Sequence, residues 1–192
     1  MTIDEIKLRL EAVLKPKRYI HSINVMDTAV KLAERYGENT GDAALAGLLH
    51  DCARNIEDKE AIRLCRGYGI ETDEICLLQP NLLHGPLGSK LAREIYGVSD
   101  ERILKAIEVH TTGHPGMDLL GKIIFIADYI EPARTFPESV YLREIAFADL
   151  DKAILYSLDT TIKYVVAKNR LLHPDTIDTR NWVLKGQKHE QE

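Results

Sequence analysis

Residues 118–133, DLLGKIIFIADYIEPA, constrain the fold more than any other stretch of this chain. They are among its most apolar residues, yet a carboxylate, Asp128, stands inside them. The β-branched content of KIIFIADYI would suit a strand. A strand needs a partner, however, and no neighbouring segment alternates apolar and polar residues. The pattern therefore predicts a buried helix, and with it an all-α chain.

The remaining punctuation is helical. TIDE at 2–5 has the Thr-x-x-Glu form of a capping box, and the helix it opens should stop before Pro16. A second helix runs from about Lys17 to Tyr36, with Ile23, Met26, Val30 and Ala33 on one face and Gly37 as its stop. TGDAALAGLLHDCA reads as a short buried helix, DKEAIRLCRGYG as an exposed one, and TDEICLLQP as two turns closed by Pro80. GPLGSKLAREIYG and SDERILKAIEVHTT follow, the latter capped by Ser99 or Asp100. HPG at 114–116 makes a turn, and two helices lie between Ser139 and about Arg170, the second capped by Asp149. From HPDT onward the tail reads as polar and loop-like, frayed from about residue 182. Nothing repeats at a fixed period, so residues 1–192 read as a single domain without linkers.

Composition narrows the function. With 192 residues and 45% hydrophobic content the chain can bury a core. No apolar run approaches the ~20 residues that span a bilayer, and the N-terminus lacks the layout of a signal peptide. Cys52, Cys65 and Cys76 are odd in number and show no CxxC spacing, which argues against a disulfide framework and a thiolate zinc site. A cytoplasmic protein without a membrane partner is expected. The net charge of −5 argues against a nucleic-acid polymer as partner, so an anionic ligand should be small and held by local charge.

The histidines carry the chemistry. LLH occurs at 48–50, 82–84 and 171–173, and only the first is followed by aspartate. His189 reads as solvated surface and His114 as a turn residue. His50 follows the apolar run AALAGLL and adjoins Asp51; alone, such a pair is more simply a helix end satisfied by backbone. His21 interrupts an apolar series in KRYIHSINV, and His110 ends the helix AIEVH. Asp128, buried bare, would cost several kcal/mol. Taken together, His21, His50, Asp51 and Asp128 point to a metal site inside a helical bundle. Two imidazoles and two carboxylates suit iron, manganese or cobalt better than structural zinc, and leave coordination positions for water or substrate.

The order His21, His50-Asp51, Asp128, with His84 and His110 between, resembles the HD-domain phosphohydrolase superfamily. KRYIHSINV, AGLLHD, LLHGPLG, EVHTTG, FIADYIEPAR and NRLLHPDTIDTRN resemble more closely its YqeK-type bacterial family of symmetrical diadenosine tetraphosphate hydrolases. The resemblance implies a helical HD-domain bundle with a divalent metal, iron first, at His21, His50, Asp51 and Asp128. It implies a small dinucleoside polyphosphate substrate, cut to two ADP by in-line attack of metal-activated water. Asp51, His84 and His110 would act in catalysis, and Arg18, His21, His84, His110, Asp128, Arg134, Arg170 and His173 would meet the nucleotide. The first LLH would then present a ligand, and the second and third phosphate-binding groups. Spacing is compatible with two of these positions, since Arg18 lies three residues before His21 on one helix face and Arg134 could reach the same pocket from the loop after Asp128. Alone, each arginine reads more simply as solvated surface charge, and only the resemblance raises it above that. The alternatives are another HD phosphohydrolase, acting on a guanosine polyphosphate or a deoxynucleotide, and a non-catalytic metal- or nucleotide-binding sensor. A homodimer through the apolar residues of 139–168 is left open, with a core role for them preferred.

Overall fold

A computed structural model describes the backbone of residues 1–189 and the side chains of residues 1–186. The run KIIFIADYI is indeed helical. It belongs to α8 (Leu119–Ile130), opened by the Asp118 side chain, which accepts from the Gly121 amide. Leu120, Ile123, Ile124 and Ile126 are all fully buried, so the helix is enclosed on nearly every side. Each such side chain contributes roughly 1.5–3 kcal/mol of burial, which fixes α8 as the axis of the bundle.

Around α8 pack α2 (Pro16–Tyr36), α3 (Thr40–Leu49), α7 (Glu101–Val109), α9 (Pro137–Ala146) and α10 (Leu150–Ala167). α2 and α3 approach closely because Gly47 has no side chain: a Cβ there would lie 3.0 Å from the Met26 Cα. α1 (Ile3–Val13) carries the expected capping box between Thr2 and Glu5 and buries Ile6 and Leu10. α4 (Asp58–Gly67), α5 (Glu74–Leu78) and a 3-10 turn at Pro80–Leu83 lead into α6 (His84–Tyr96), which packs on α7. The caps read from sequence hold at Gly37, left-handed with φ 75°, and at Asp100 and Asp149. No described helix is long and apolar enough to cross a membrane.

The tail departs from expectation. Residues 174–189 form α11 (Pro174–His189), which packs against α10. It buries Thr176, Thr179 and Val183, and Arg180 pairs with Asp159 at 2.5 Å. Among its described side chains two of the three buried ones are threonines, so composition reads as polar what the fold uses as a core face. The expected fraying of residues 190–192 and the surface placement of the His189 side chain lie outside the described residues.

Candidate metal centre

The six residues of the expected cluster come from five different helices or their ends. His21 projects from the middle of α2, His50 is the C-cap of α3, and Asp51 follows it. His84 opens α6 directly after the 3-10 turn, His110 is the C-cap of α7, and Asp128 lies near the end of α8. The four rings and Asp51 are buried. Asp128 is less buried than its apolar surroundings suggest: its side chain is 28% exposed and opens the cluster to solvent.

Two imidazole pairs face each other, His21 Nε2 to His50 Nε2 at 3.2 Å and His84 Nε2 to His110 Nε2 at 3.1 Å. Asp51 stands between them. Its Oδ2 lies 3.3 Å from His50 Nε2 and 3.6 Å from His21 Nε2, while Oδ1 lies 3.2 Å from His84 Nε2 and 3.9 Å from His110 Nε2. Asp128 Oδ1 sits 2.9 Å from His21 Nε2 and 3.9 Å from His50 Nε2.

Every ring has its tautomer set from behind. The Nδ1 atoms of His50, His84 and His110 donate to the carbonyls of Gly47, Asn81 and Ile107, and that of His21 donates to Glu131 Oε1 at 3.1 Å. A carbonyl or carboxylate oxygen only accepts, so each Nδ1 carries the proton. Each neutral ring therefore turns a bare Nε2 lone pair toward the cluster. The two pairs then differ. The Thr111 hydroxyl lies 3.3 Å from His84 Nε2 and 3.4 Å from His110 Nε2 and can donate there. Around His21 and His50 the inner neighbours are Asp51 Oδ2 and Asp128 Oδ1, so that quartet consists of acceptors alone. Only a proton or a cation reconciles four acceptors so close together. Three overlapping sets here, His21–His50–Asp51, His50–His110–Asp128 and Asp51–His84–His110, each bring their ligand atoms close enough for a divalent metal.

The electrostatics agree. Burial alone would raise Asp51, but His50 and His84 hold its carboxyl well below the usual range. Asp128 is likewise lowered against its burial, by His21, His50 and Arg134. Burial would also depress His50, yet Asp51 and Asp128 outweigh it and raise the ring. His110, buried and beside His84 and His50, is pushed down to about 3.

Two arginines rim the cluster. Arg18 Nη1 donates to Asp51 Oδ2 at 2.5 Å, and Arg134 Nη2 to Asp128 Oδ1 at 2.9 Å. Both positions agree with the spacing argument. Sequence reasoning missed the residues behind them. Glu131, 2% exposed, accepts from His21, from Asn24 Nδ2 at 2.9 Å and from the Ala133 amide at 2.7 Å. Arg143 of α9 donates to the carbonyls of Ile130, Glu131 and Arg134, and so fixes the turn that presents Arg134. In sequence Glu131 is marked only by its place three residues after Asp128; it stands at the C-cap of α8, where the chain leaves the helix.

Arg170 and His173 are not joined to the cluster by any contact among the described residues. Arg170 is exposed. His173 donates from Nε2 to Asp73 Oδ2 at 2.7 Å, because its Nδ1 already accepts the Asp175 amide. The third LLH thus leads into α11 and forms a separate group with Asp73 and Cys76.

The family model described as HD domain matches residues 18–133, from Arg18 to just past Glu131. The chain belongs to the HD-domain family. It is 44% identical over 91% of its length to a symmetrical bis(5'-nucleosyl)-tetraphosphatase of Halalkalibacterium halodurans, 93% of which is covered. A protein of the same description from Bacillus subtilis is 40% identical, over 90% of this chain and 92% of that one. A crystal structure from Clostridium acetobutylicum, described as a predicted HD superfamily hydrolase involved in NAD metabolism, superposes with a TM-score of 0.94. That protein is 47% identical, with 96% of this chain and 98% of the other covered.

Proposed function

We propose that this chain is a metal-dependent hydrolase that cleaves diadenosine tetraphosphate symmetrically to two ADP. The observation that carries it is the all-acceptor quartet of His21, His50, Asp51 and Asp128, edged by two arginines, in a chain whose relatives bear that activity in their names.

His21, His50, Asp51 and Asp128 would hold the metal, with iron as the first choice and manganese or cobalt as substitutes. When bound, such an ion supplies Lewis-acid polarisation of a phosphoryl oxygen and an activated water. The residues around it do the positioning. Arg18 and Arg134 each spend part of a guanidinium fork on Asp51 or Asp128. Their remaining N–H groups are free to hold phosphate oxygens and to offset charge that builds during in-line attack. His84 and His110 face each other closely enough to share one proton. Burial and the neighbouring rings push His110 down to about 3, and the pair would assist the departing ADP. Arg170 and His173 are assigned to the nucleoside end on family resemblance. Reaching it would require His173 to leave Asp73. A cytoplasmic location is part of this reading, as the compartment in which a free dinucleotide would be met.

The test is product analysis of diadenosine tetraphosphate incubated with protein, with ferrous iron, manganese or chelator. ADP alone, abolished by chelator and by Asp51→Ala, is the expected result. AMP with ATP would refute symmetrical cleavage. Turnover of a guanosine polyphosphate or a deoxynucleotide in its place would move the reading to another HD phosphohydrolase.

A further inference from the structure

Beside the cluster opens a groove of about 540 Å3, within the range of about 300–1,000 Å3 usual for small-ligand sites. His21, Arg18 and Arg134 form its inner wall, and Lys15, Lys17 and Arg54 its outer part. One carboxylate lines it, Glu131, already engaged by His21, Asn24 and the Ala133 amide. The chain as a whole carries 30 acidic against 25 basic residues. Of the five cations around this cavity Arg18 and Arg134 are balanced by Asp51 and Asp128, which leaves three in excess over the cluster's own carboxylates. Lys15, Lys17 and Arg54 form no ion pair among the described residues.

The helix that supplies this wall breaks a local rule. α2 has Lys15 as its N-cap, with no side-chain cap hydrogen bond and no acidic residue in its first turn. Cations Lys15, Lys17 and Arg18 instead crowd the positive end of its macrodipole, where anions are favoured. Such a departure from local consistency is expected where a site, not stability, sets the sequence. The groove also has a surface for a nucleoside. Ile20 is 56% exposed at its edge. Asn55 donates its amide to the Val13 carbonyl, which leaves its side-chain oxygen to accept from a base amino group.

We infer that this groove is the subsite for one of the two nucleoside diphosphate halves of the substrate. Its outer cations, Lys17 and Arg54 above all, hold the phosphates remote from the cut. The inference rests on the hydrolase reading and adds to it: a symmetrical cut at a mononucleoside site would need only one such half bound. Here Arg18 and Arg134 belong to both the cluster wall and the groove, so a polyphosphate chain passes from one to the other without leaving cationic surface.

The experiment is calorimetric titration of the metal-loaded protein with ADP, alongside steady-state kinetics on diadenosine tetraphosphate. Wild type should bind two ADP per chain. Lys17→Glu/Arg54→Glu should bind one and raise KM at least about tenfold, with the loss in KM rather than kcat. Lys15→Glu/Lys17→Glu, which alters only exposed side chains, should move the same way. Lys31→Glu, about 20 Å further along α2, should match wild type. One ADP per wild-type chain would overturn the groove. So would two in both double variants, or an equal rise in KM from Lys31→Glu. Two ADP bound without dinucleotide turnover would sink the hydrolase reading and support the groove as a nucleoside diphosphate site.

Discussion

Glu131→Gln isolates how the His21 ring is readied for the proposed metal. The carboxylate receives three donors: His21 Nδ1 on Oε1, and Asn24 Nδ2 and the Ala133 amide on Oε2. Glutamine has one accepting oxygen. Turned toward His21, it would set its NH2 against two donors; turned toward Asn24 and Ala133, it satisfies both and sets its NH2 against His21 Nδ1. Each unsatisfied buried donor costs about 1–3 kcal/mol, so the second orientation wins by roughly one such increment. His21 Nδ1 must then accept, and the ring proton moves to Nε2. There it meets the bare Nε2 of His50 at 3.2 Å and forms a hydrogen bond that the parent protein lacks.

Metal affinity should therefore fall about 10–100-fold, or about 1.4–2.7 kcal/mol. The metal-free Tm should hold or rise, whereas Glu131→Ala should lower both. Competition titration against a chelator gives the affinity, and imidazole 15N spectra report which nitrogen carries the proton. Loss of one negative charge would weaken metal binding without moving the proton. A variant whose His21 still carries its proton on Nδ1 would therefore refute the reasoning.

Asp51→Asn removes the carboxylate shared by both imidazole pairs, and elemental analysis should find the metal largely gone, with turnover down at least about 100-fold. His84→Ala should keep the metal by the same analysis while turnover falls about 10²–10⁴-fold, since it removes a proton carrier and no ligand of the quartet. Chelated protein should lose stability on acidification. His110 is held neutral to about 3 against 6.5 unfolded, so the unfolded chain binds the extra proton and stability falls across that window, by at most about 5 kcal/mol. The lowered Asp51 and Asp128 add loss once pH drops below 3.8, while the raised His50 works the other way, its contribution present below 6.5 and fading above. Thermal melts of metal-free protein between pH 7 and 4 test the balance, and a flat or rising Tm toward pH 4 contradicts it. Gly85→Ala drives a Cβ into the Glu108 carbonyl where α6 meets α7; a loss of about 1–3 kcal/mol in denaturant unfolding is expected despite alanine's better helix propensity.

The fold was legible wherever a helix announces its own ends or buries one chemical type. The Thr2–Glu5 box, Gly37 and Asp149 are such ends, and α8 is legible because no neighbouring segment offers the alternating partner that a strand would need. α11 was not, since Thr176 and Thr179 face the core and carry no apolar signature. The cluster was legible for a related reason: a histidine behind an apolar run is pointed inward by the run itself, as at His50, His84 and His110. His173 follows the same two leucines, but Leu171 is half exposed and the helix begins after it, so the string alone does not fix direction. Its partner, Asp73, is 100 residues away in sequence, a pairing that no local pattern encodes. Glu131 reads as an ordinary acid at a helix end, and its role exists only once α2 is laid across α8.

The contrast between Glu131 and the other orienting groups has one physical origin. At the end of a helix the last carbonyls lack intrahelical partners, so a histidine there can donate Nδ1 to the carbonyl three residues back. His50 does this with Gly47, His110 with Ile107, and His84 with Asn81 at the end of the 3-10 turn. The backbone thereby sets three tautomers without any second side chain, and the negative ends of α3 and α7 come to face the site where a cation belongs. His21 lies mid-helix, where the carbonyls behind it are already spent on the helix itself. It needs an acceptor from elsewhere, and Glu131 supplies it across the bundle. Side-chain substitution can therefore reset one ring of the four, and the prediction for Glu131→Gln is confined to His21 because the other three are held by backbone.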